Sequence, residues 1–193
     1  MKGVTSFYKI SMDSSVSDQW HLAQPIDSTG QETVAGRFRL GKPWDLANTL
    51  KSRIRNEGRP VSFSLSGLGD YFVKKTLMDT LVAALPEGTV QAVPVEIDGV
   101  DEPYEILNVL DIVDCVDEDR TGFSMFPRWT EEDGRPEKIG DYRINVLRID
   151  PARAASHDLF RVKGWRIALV CSERIRDLLI SHGVTGIRFT LVS

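Results

Sequence analysis

The C-terminal stretch WRIALVCSERIRDLLISHGVTGIRFTLV, residues 165–192, decides the fold. It is almost continuously apolar over residues 167–171, which is typical of a buried strand. Apolar residues then recur at helical spacing at Ile175, Leu178 and Leu179, and a second apolar run, IRFTLV, closes the stretch. The pattern predicts a strand, an amphipathic helix and a second strand.

The residues at both ends of this predicted helix favour the same boundaries. Ser172 is a good N-cap, Glu173 places negative charge in the first turn, and Gly183 is suited to end the helix. Each buried apolar side chain contributes roughly 1.5 to 3 kcal/mol before entropy is subtracted. We therefore expect the unit to form core rather than an active site, with these side chains buried: Ile167, Leu169, Cys171, Ile175, Leu178, Leu179 and Phe189.

Residues 73–97 repeat this pattern. Leu77, Leu81 and Leu85 share one helical face, and a strand follows in which Pro94 favours a sheet edge or a bulge. Aligned with the unit at 171–192, the two helices match at apolar and aspartate positions. An ancient duplication and a chance likeness between two amphipathic helices both explain the match.

The N-terminal third predicts an antiparallel layer followed by a helix. Residues 4–10 alternate loosely and suit a strand, and further short strands are expected near residues 20–22 and 38–40. Pro43 then precedes a segment with helical spacing, and Gly58 follows it as a stop. We expect a helix of about three turns between these two residues, with an apolar face formed by Trp44, Ala47, Leu50 and Ile54.

The middle of the chain predicts more sheet. Residues 104–116, YEILNVLDIVDCV, are rich in β-branched residues and continuously apolar, which favours one long central strand. Residues 119–141 are rich in Gly, Pro and charge, so we expect a long excursion there, most mobile over residues 123–141. The strand pattern resumes at 142–149, and Pro151 opens a short turn or a one-turn helix. Together these elements predict an α+β fold, mainly an antiparallel sheet with a few amphipathic helices.

Length and composition bound the class of protein. A chain of 193 residues is long enough for one sizeable core and short for two, so we expect one domain over residues 1–193, in one lobe or two. No run approaches the roughly 18 apolar residues of a membrane helix, so no membrane partner is expected. The N-terminus lacks a secretory pattern, and Cys115 and Cys171 lie in apolar runs typical of buried free thiols. These features predict a cytoplasmic protein.

Signatures of catalysis and metal binding are weak or absent. His21, His157 and His182 are far apart, and neither cysteine has a ligand neighbour at zinc-site spacing. Residues 117–128 match a calcium loop at its first, third, fifth and sixth positions but end in arginine, where the loop needs glutamate. The sequence SGLGD at 66–70 lacks the third glycine of a dinucleotide fingerprint. We therefore expect no enzyme activity, no metal and no cofactor.

Charge is distributed unevenly along the chain. Residues 95–119 contain ten carboxylates and no lysine or arginine, whereas residues 143–176 contain eight basic residues against three acidic ones. One interpretation is that the two stretches neutralise each other as neighbours in a sheet. The other is that part of the acidic run, chiefly residues 114–119, forms an exposed negative surface that attracts a basic partner. The net charge of -4 disfavours nucleic acid as that partner.

The chain also resembles a known family. Residues 164–189, GWRIALVCSERIRDLLISHGVTGIRF, resemble the C-terminal signature of a bacterial immunity family from polymorphic toxin systems, immunity class eleven. The resemblance continues upstream through DLFRVKG, RINVLRIDPAR, EILNVLDIVDCVD and TLVAALPEGTVQAVPVEI, and more faintly into QWHLAQP and GRFRLGKP. It covers most of the chain.

The resemblance implies a function without catalysis. Members of this family protect a toxin-producing bacterium and its kin by binding the active domain of the toxin, so the implied partner is a cognate toxin protein. Two other classes stay open: a small-molecule-binding or sensor domain with a pocket lined by tryptophans, and an unrecognised enzyme with polar groups clustered in a cleft. The acidic run and the aromatic residues after it, rather than the resemblance, select the expected partner contacts, which are Asp114, Asp117, Glu118, Asp119, Phe126 and Trp129.

Overall fold

The computed structural model describes residues 6–34, 36–66, 69–125 and 142–193. Its helices are Lys75–Ala84 (α1), Pro151–Ala154 (α2) and Glu173–Ser181 (α3), and Arg37–Arg39 form a 3-10 turn (η1). Its strands are Phe7–Met12 (β1), His21–Leu22 (β2), Leu50–Ser52 (β3), Ile54–Asn56 (β4), Phe63–Leu65 (β5), Tyr71–Lys74 (β6), Val90–Ile97 (β7), Tyr104–Val109 (β8), Ile112–Val113 (β9), Gly122–Met125 (β10), Tyr142–Val146 (β11), Leu159–Val162 (β12), Trp165–Ser172 (β13) and Ile187–Leu191 (β14). The predicted α+β fold with mainly antiparallel strands is confirmed.

The C-terminal strand-helix-strand unit builds the first five-stranded sheet, in the order β14-β1-β13-β12-β9. Strands β13 and β14 flank β1 and run antiparallel to it, with Phe7 opposite Ser172. Helix α3 begins at Glu173, where Ser172 Oγ accepts the N–H of Ile175 at 3.4 Å. The helix is followed by Gly183 in the left-handed region, at φ 66°. The predicted unit and its boundaries are confirmed.

The second five-stranded sheet has the order β3-β7-β8-β6-β5. Here β6 and β7, which α1 connects, flank β8 and run antiparallel to it. The repeated sequence pattern thus has the same topology in both sheets, an arrangement that fits either a duplication or convergence. Strand β3 pairs with β7 only from Val95 onward, so Pro94 lies just past the end of its neighbour, as expected for a proline at a local edge.

One apolar core joins the two sheets to both long helices. It includes Leu81 from α1, Leu179 from α3, and Leu169 from β13. A separate core, which includes Val170, covers the other face of β13. Because β13 is buried on both faces, its sequence is continuously apolar rather than alternating.

Most of the side chains expected in the core are there. Leu178 and Phe189 are half-buried at the margin of the core. The expectation for Ile167 is wrong, since this side chain is 57% exposed. Strand β1 pairs with β13 only as far as Leu169, so the part of β13 that carries Ile167 lacks this neighbour, and Ile167 is not among the residues of the core that contains Leu169. Of the seven expected side chains, four are fully buried: Leu169, Cys171, Ile175 and Leu179.

The prediction of a helix between Pro43 and Gly58 is wrong, because this segment contains the strands β3 and β4. The side chain of Gln91 binds the backbone of Trp44, accepting its N–H at 2.7 Å and donating to its carbonyl at 2.9 Å. Strand β3 pairs with β7, and β4 pairs with β2. These long-range bonds occupy backbone groups that a helix would satisfy internally, and they override the helical spacing.

The prediction of one long strand over residues 104–116 is also wrong, because this segment forms two separate strands, β8 and β9. The chain leaves the second sheet after Val109 and joins the first sheet at Ile112, where β9 pairs in parallel with β12. At the crossing, the carbonyl of Asp111 accepts the backbone N–H of Arg161 at 2.9 Å. The run is continuously apolar because it serves two cores in succession.

Two shorter segments complete the comparison. The strand expected near residues 38–40 is the η1 turn, which follows Gly36 at φ 75°. Strands β10 and β11 pair antiparallel at the borders of the expected excursion, and residues 126–141 lie outside the described residues. The one-turn helix α2 is confirmed, with Asp150 as its N-cap.

Candidate functional site

The fold divides the acidic run of the sequence between two surfaces. Strand β8 belongs to the second sheet and β9 to the first, so the run is split where the chain crosses between them. The hairpin carboxylates, on and around the β7–β8 connection, are Glu96, Asp98, Asp101, Glu102 and Glu105. The loop carboxylates, around and after β9, are Asp111, Asp114, Asp117, Glu118 and Asp119.

Asp114 is exposed but already paired. Its Oδ1 lies 2.6 Å from Nη2 of Arg153, and its Oδ2 lies 3.1 Å from Nζ of Lys163. Nearby, Nδ1 of His157 lies 2.7 Å from Oδ2 of Asp111. Arg153 and Lys163 belong to the later basic stretch, so mutual neutralisation of the two stretches is confirmed for Asp114.

Asp117 organises its own loop. Its Oδ1 accepts the backbone N–H of Arg120 at 3.2 Å, and its Oδ2 lies 3.4 Å from Nη1 of the same arginine. Its backbone N–H donates to the carbonyl of Arg148 at 3.0 Å, and its carbonyl accepts the N–H of Thr121 at 2.9 Å. The half-buried carboxylate therefore holds the turn that presents the residues after it.

Glu118 and Asp119 are the most available of the loop carboxylates, and both are exposed. Oε1 of Glu118 accepts the hydroxyl of Tyr142, and this hydrogen bond is the main reason that the pKa of Tyr142 rises to about 12. Among the described residues, Asp119 has no ion-pair partner. The two aromatic contacts expected from the sequence, Phe126 and Trp129, lie outside the described residues.

The hairpin carboxylates have different counter-ions. The interpretation that the later basic stretch neutralises the acidic run is wrong for the hairpin carboxylates. The neighbours of β8 are β6 and β7 rather than the C-terminal strands. Asp98 and Asp101 are exposed, and neither has an ion-pair partner among the described residues. The observed pairs are Lys51–Glu96 at 3.1 Å, Lys74–Glu102 at 2.7 Å and Lys75–Glu105 at 3.8 Å.

A groove of about 560 Å³ opens beside the hairpin carboxylates. Residues 93–97 of β7 and residues 100–105 form much of its lining, together with Leu46 and residues 48–50 before and at the start of β3. Lys75, the first residue of α1, also lines it. The lining thus combines apolar residues with one lysine and four carboxylates, which are Glu96, Asp101, Glu102 and Glu105.

Glu105 is the least satisfied group of this lining. The residue is only 8% exposed, and its Oε2 has no hydrogen-bond partner within the described parts of the chain. Nζ of Lys75 lies 3.8 Å from its Oε1, longer than a hydrogen bond, and instead binds Asp79 at 2.7 Å. Burial raises the pKa of Glu105 above its usual range. The groove therefore contains a buried carboxylate that lacks a donor.

Sequence reasoning did not single out this groove. Glu105 lies within the apolar segment YEILNV, where a lone carboxylate gives no sign of its partners. The available signal was the density of charge, since five carboxylates fall within residues 96–105 without a lysine or arginine. The contribution of Leu46, from a segment predicted to be helical, depends on the tertiary fold.

Comparison with known families adds to this geometry. The model of the Immunity protein family (Imm11) matches residues 54–193. The chain belongs to this family. The resemblance identified from the sequence is thereby confirmed over the matched residues, whereas the fainter likeness in QWHLAQP and GRFRLGKP lies outside them. No curated protein matches the chain significantly.

The Imm11 match begins in β4 and leaves out the first 53 residues. Strand β1 nevertheless lies between β13 and β14, and Ile10 packs in the same core as Leu179. Both groups of carboxylates fall inside the matched region, whereas Leu46 of the groove falls outside it. The unmatched segment is therefore part of the structure that carries both surfaces.

Neither a metal-ligand cluster nor a reactive thiol is found among the described residues of this Imm11 chain. They contain no group of three or more His, Cys, Asp or Glu side chains that could hold a metal ion. Burial raises the pKa of Cys115 to about 12 and also raises that of Cys171, so both thiols stay protonated and are poor nucleophiles at neutral pH. None of the described helices has the length and apolar character needed to cross a membrane.

Proposed function

We propose that this Imm11 protein binds the active domain of a cognate bacterial toxin and neutralises it by covering the active site, without catalysis of its own. The observation that carries the proposal is that residues 54–193 belong to an immunity family. A protein with this task needs a complementary surface rather than a catalytic centre. An interface of standard size, about 1,600 Å² in total, would suffice.

The loop carboxylates support an electrostatic first contact with a basic partner. Glu118 and Asp119 are exposed and sit on a turn that Asp117 fixes, so little ordering is needed when a partner arrives. Asp114 would have to exchange Arg153 and Lys163 for a partner's cation, so we assign it a secondary part. The full set of proposed contacts remains Asp114, Asp117, Glu118 and Asp119, with Phe126 and Trp129 as apolar anchors.

The proposed site of action is the cytoplasm of the producing cell, and the proposed unit is a single domain. Cys115 and Cys171 are both free and buried, a state common in proteins of reducing compartments. A core shared by α1 and α3 spans both sheets, which supports one folding unit over the chain.

The small-molecule alternative has less support. Three of the four tryptophans expected to line its pocket do not line the groove. Trp20 is buried against Tyr104, with ring centroids 5.5 Å apart, and Trp44 and Trp165 lie elsewhere. Trp129 lies outside the described residues.

The test of the proposed function is co-expression with the toxin encoded beside the gene. Wild-type protein should rescue growth, and the purified protein should bind the toxin's active domain tightly. If wild type neither rescues growth nor binds that domain, the immunity function itself is wrong.

Reversing two charges tests the loop surface. The double variant Glu118→Lys/Asp119→Lys should slow association with the toxin roughly 10-fold and flatten its salt dependence, because exposed charges of this kind steer encounter. Association rates measured at two salt concentrations check this. The matched control is Glu57→Lys/Glu87→Lys, which changes two exposed glutamates elsewhere by the same charge. Equal rates for both double variants would remove the loop surface from recognition.

A further inference from the structure

We infer that the groove beside the β7–β8 hairpin is a docking site for an arginine side chain presented by a protein partner. The inference rests on the proposed function, since the partner is taken to be the toxin. The groove lies on the second sheet, whereas the loop carboxylates lie around and after β9 of the first sheet, so the two are separate surfaces.

The charge of the lining selects a cation. Two of its four carboxylates, Glu96 and Glu102, pair at 3.1 and 2.7 Å with lysines that do not line the groove. Asp101 and Glu105 therefore remain as the groups that can take a further cation, since Lys75, the one lysine of the lining, is held by Asp79 at 2.7 Å. Asp101 lines the groove, is exposed, and has no ion-pair partner among the described residues. A positive group entering here meets uncompensated negative charge, and the partly buried setting reduces screening by salt.

The buried acceptor indicates where the charged end of that group would lie. Oε2 of Glu105 has no donor within the described residues and is shielded from water. An unmet carboxylate in such a place is unfavourable, and a charge-assisted hydrogen bond would satisfy it. An occupant can donate an N–H to this oxygen only if the side chains that cover it in the unbound protein move aside when the occupant enters.

Arginine fits these requirements better than lysine. The groove already contains an ammonium group, and Lys75 prefers Asp79, leaving Glu105 without a hydrogen bond. A guanidinium offers five donors in a plane, so it can bind Glu105 and a rim carboxylate such as Asp101 together. Its aliphatic stem suits the apolar lining, which includes Leu46 and Val100. The volume of about 560 Å³ exceeds one side chain and leaves room for the residues that flank it.

Binding of the toxin's active domain to three single variants tests this inference. Glu105→Gln should weaken affinity roughly 10- to 100-fold, mainly through faster dissociation, because it removes a buried charge from the contact. Asp101→Asn should weaken it less, since this carboxylate lies at the exposed rim. The control Asp98→Asn removes the same charge from the same hairpin at an exposed position that does not line the groove. It should bind like wild type.

A second probe does not depend on the toxin. N-acetyl-argininamide, titrated into the labelled wild-type protein, should shift backbone amide NMR signals of residues 93–105, and Glu105→Gln should abolish those shifts. The citrulline analogue has nearly the same shape without the charge and should leave the signals unchanged. Equal shifts with both compounds would overturn the proposed specificity for arginine.

The two arms separate the failure of the inference from the failure of the proposed function. If wild type binds the toxin but Glu105→Gln and Asp101→Asn bind as well as Asp98→Asn, the groove is not a docking site although immunity stands. If wild type does not bind the toxin, the proposed function fails, and the NMR titration still decides whether the groove accepts arginine. Glu105→Gln should melt no lower than wild type, because it removes a buried charge whose ion pair with Lys75, at 3.8 Å, is longer than a hydrogen bond. Asp101→Asn keeps the inference testable if that variant is unstable.

Discussion

Leu179→Ala should lower the free energy of unfolding by roughly 2 to 5 kcal/mol. Leu179 is fully buried on α3 and packs in the core that also contains Leu81 and Leu169. The substitution removes three carbon atoms at a point where both sheets and both long helices meet, so no single element can move to fill the cavity. Equilibrium unfolding in urea measures the loss as a lower midpoint at an unchanged slope.

The adjacent residue offers the control. Ile180 follows on the same helix but is 55% exposed, so Ile180→Ala should change stability by no more than about 0.5 kcal/mol. The two variants remove similar amounts of apolar side chain and differ mainly in what surrounds it. Equal losses would show that α3 does not pack on the core as described.

The C-terminal unit could be predicted because its signals are local. Ser172 caps the helix that begins at the next residue, and Gly183 supplies the left-handed conformation that ends it. The apolar spacing between them selects the buried face. The local pattern does not show how far the core extends along β13. Ile167 is therefore exposed although Leu169, on the same face of the strand, is buried.

Two other segments could not be predicted locally, since partners distant in sequence determine their form. The spacing from Trp44 to Ile54 suits a helix, but the Gln91 side chain holds the Trp44 backbone and β7 recruits Leu50 into a strand. Residues 104–116 are uniformly apolar, which indicates burial without showing that the chain changes sheets at Asp111. In both cases tertiary hydrogen bonding decided between two forms that the local sequence permits.

The candidate surfaces were predictable in composition but not in detail. The excess of carboxylates marks both surfaces, and the neutralisation of Asp114 by Arg153 follows the expected pairing. The lysines that meet Glu102 and Glu105 come from the β6–α1 junction, which only the strand order brings beside β8. The missing donor at Glu105 is a property of three-dimensional placement, and no pattern of residues shows it.

Arg161 shows the same limit for a basic residue. In the sequence it is one of the eight basic residues of the stretch 143–176, yet it is fully buried on β12. Its guanidinium lies 5.3 Å from the centroid of the Tyr71 ring, and Nη1 donates to the carbonyl of Ile167 at 3.3 Å. Its Nε and Nη2 have no partner among the described residues. Burial lowers the pKa of Arg161 to about 10, which still leaves the group charged at neutral pH.

The charge of Arg161 acts together with buried Asp70. The carboxylate of Asp70 accepts a hydrogen bond from Nε2 of Gln24 at 2.7 Å, and its other oxygen has no partner among the described residues. Burial raises the pKa of Asp70, while the positive charges of Arg39 and Arg161 oppose that rise. Removing Arg161 alone would therefore leave a buried carboxylate with less compensation.

Arg161→Met should accordingly cost roughly 3 to 5 kcal/mol of unfolding free energy, although methionine fills much of the vacated volume. Adding Asp70→Asn should recover about half of this loss, because the carboxylate that the first change left without compensation is then neutral.

The sign of the pH dependence gives a separate check. Without Arg161, less positive charge opposes the rise in the pKa of Asp70, so the native variant takes up a proton on Asp70 at a higher pH than native wild type does. The stability deficit of Arg161→Met should therefore shrink as the pH falls through the folded pKa of Asp70. Urea unfolding of wild type, both single variants and the double variant gives the free energy of unfolding of each protein at neutral and at acidic pH. If the cost of Arg161→Met is the same with and without Asp70, the arginine stabilises the fold through its packing on Tyr71 and its bond to Ile167 rather than through charge.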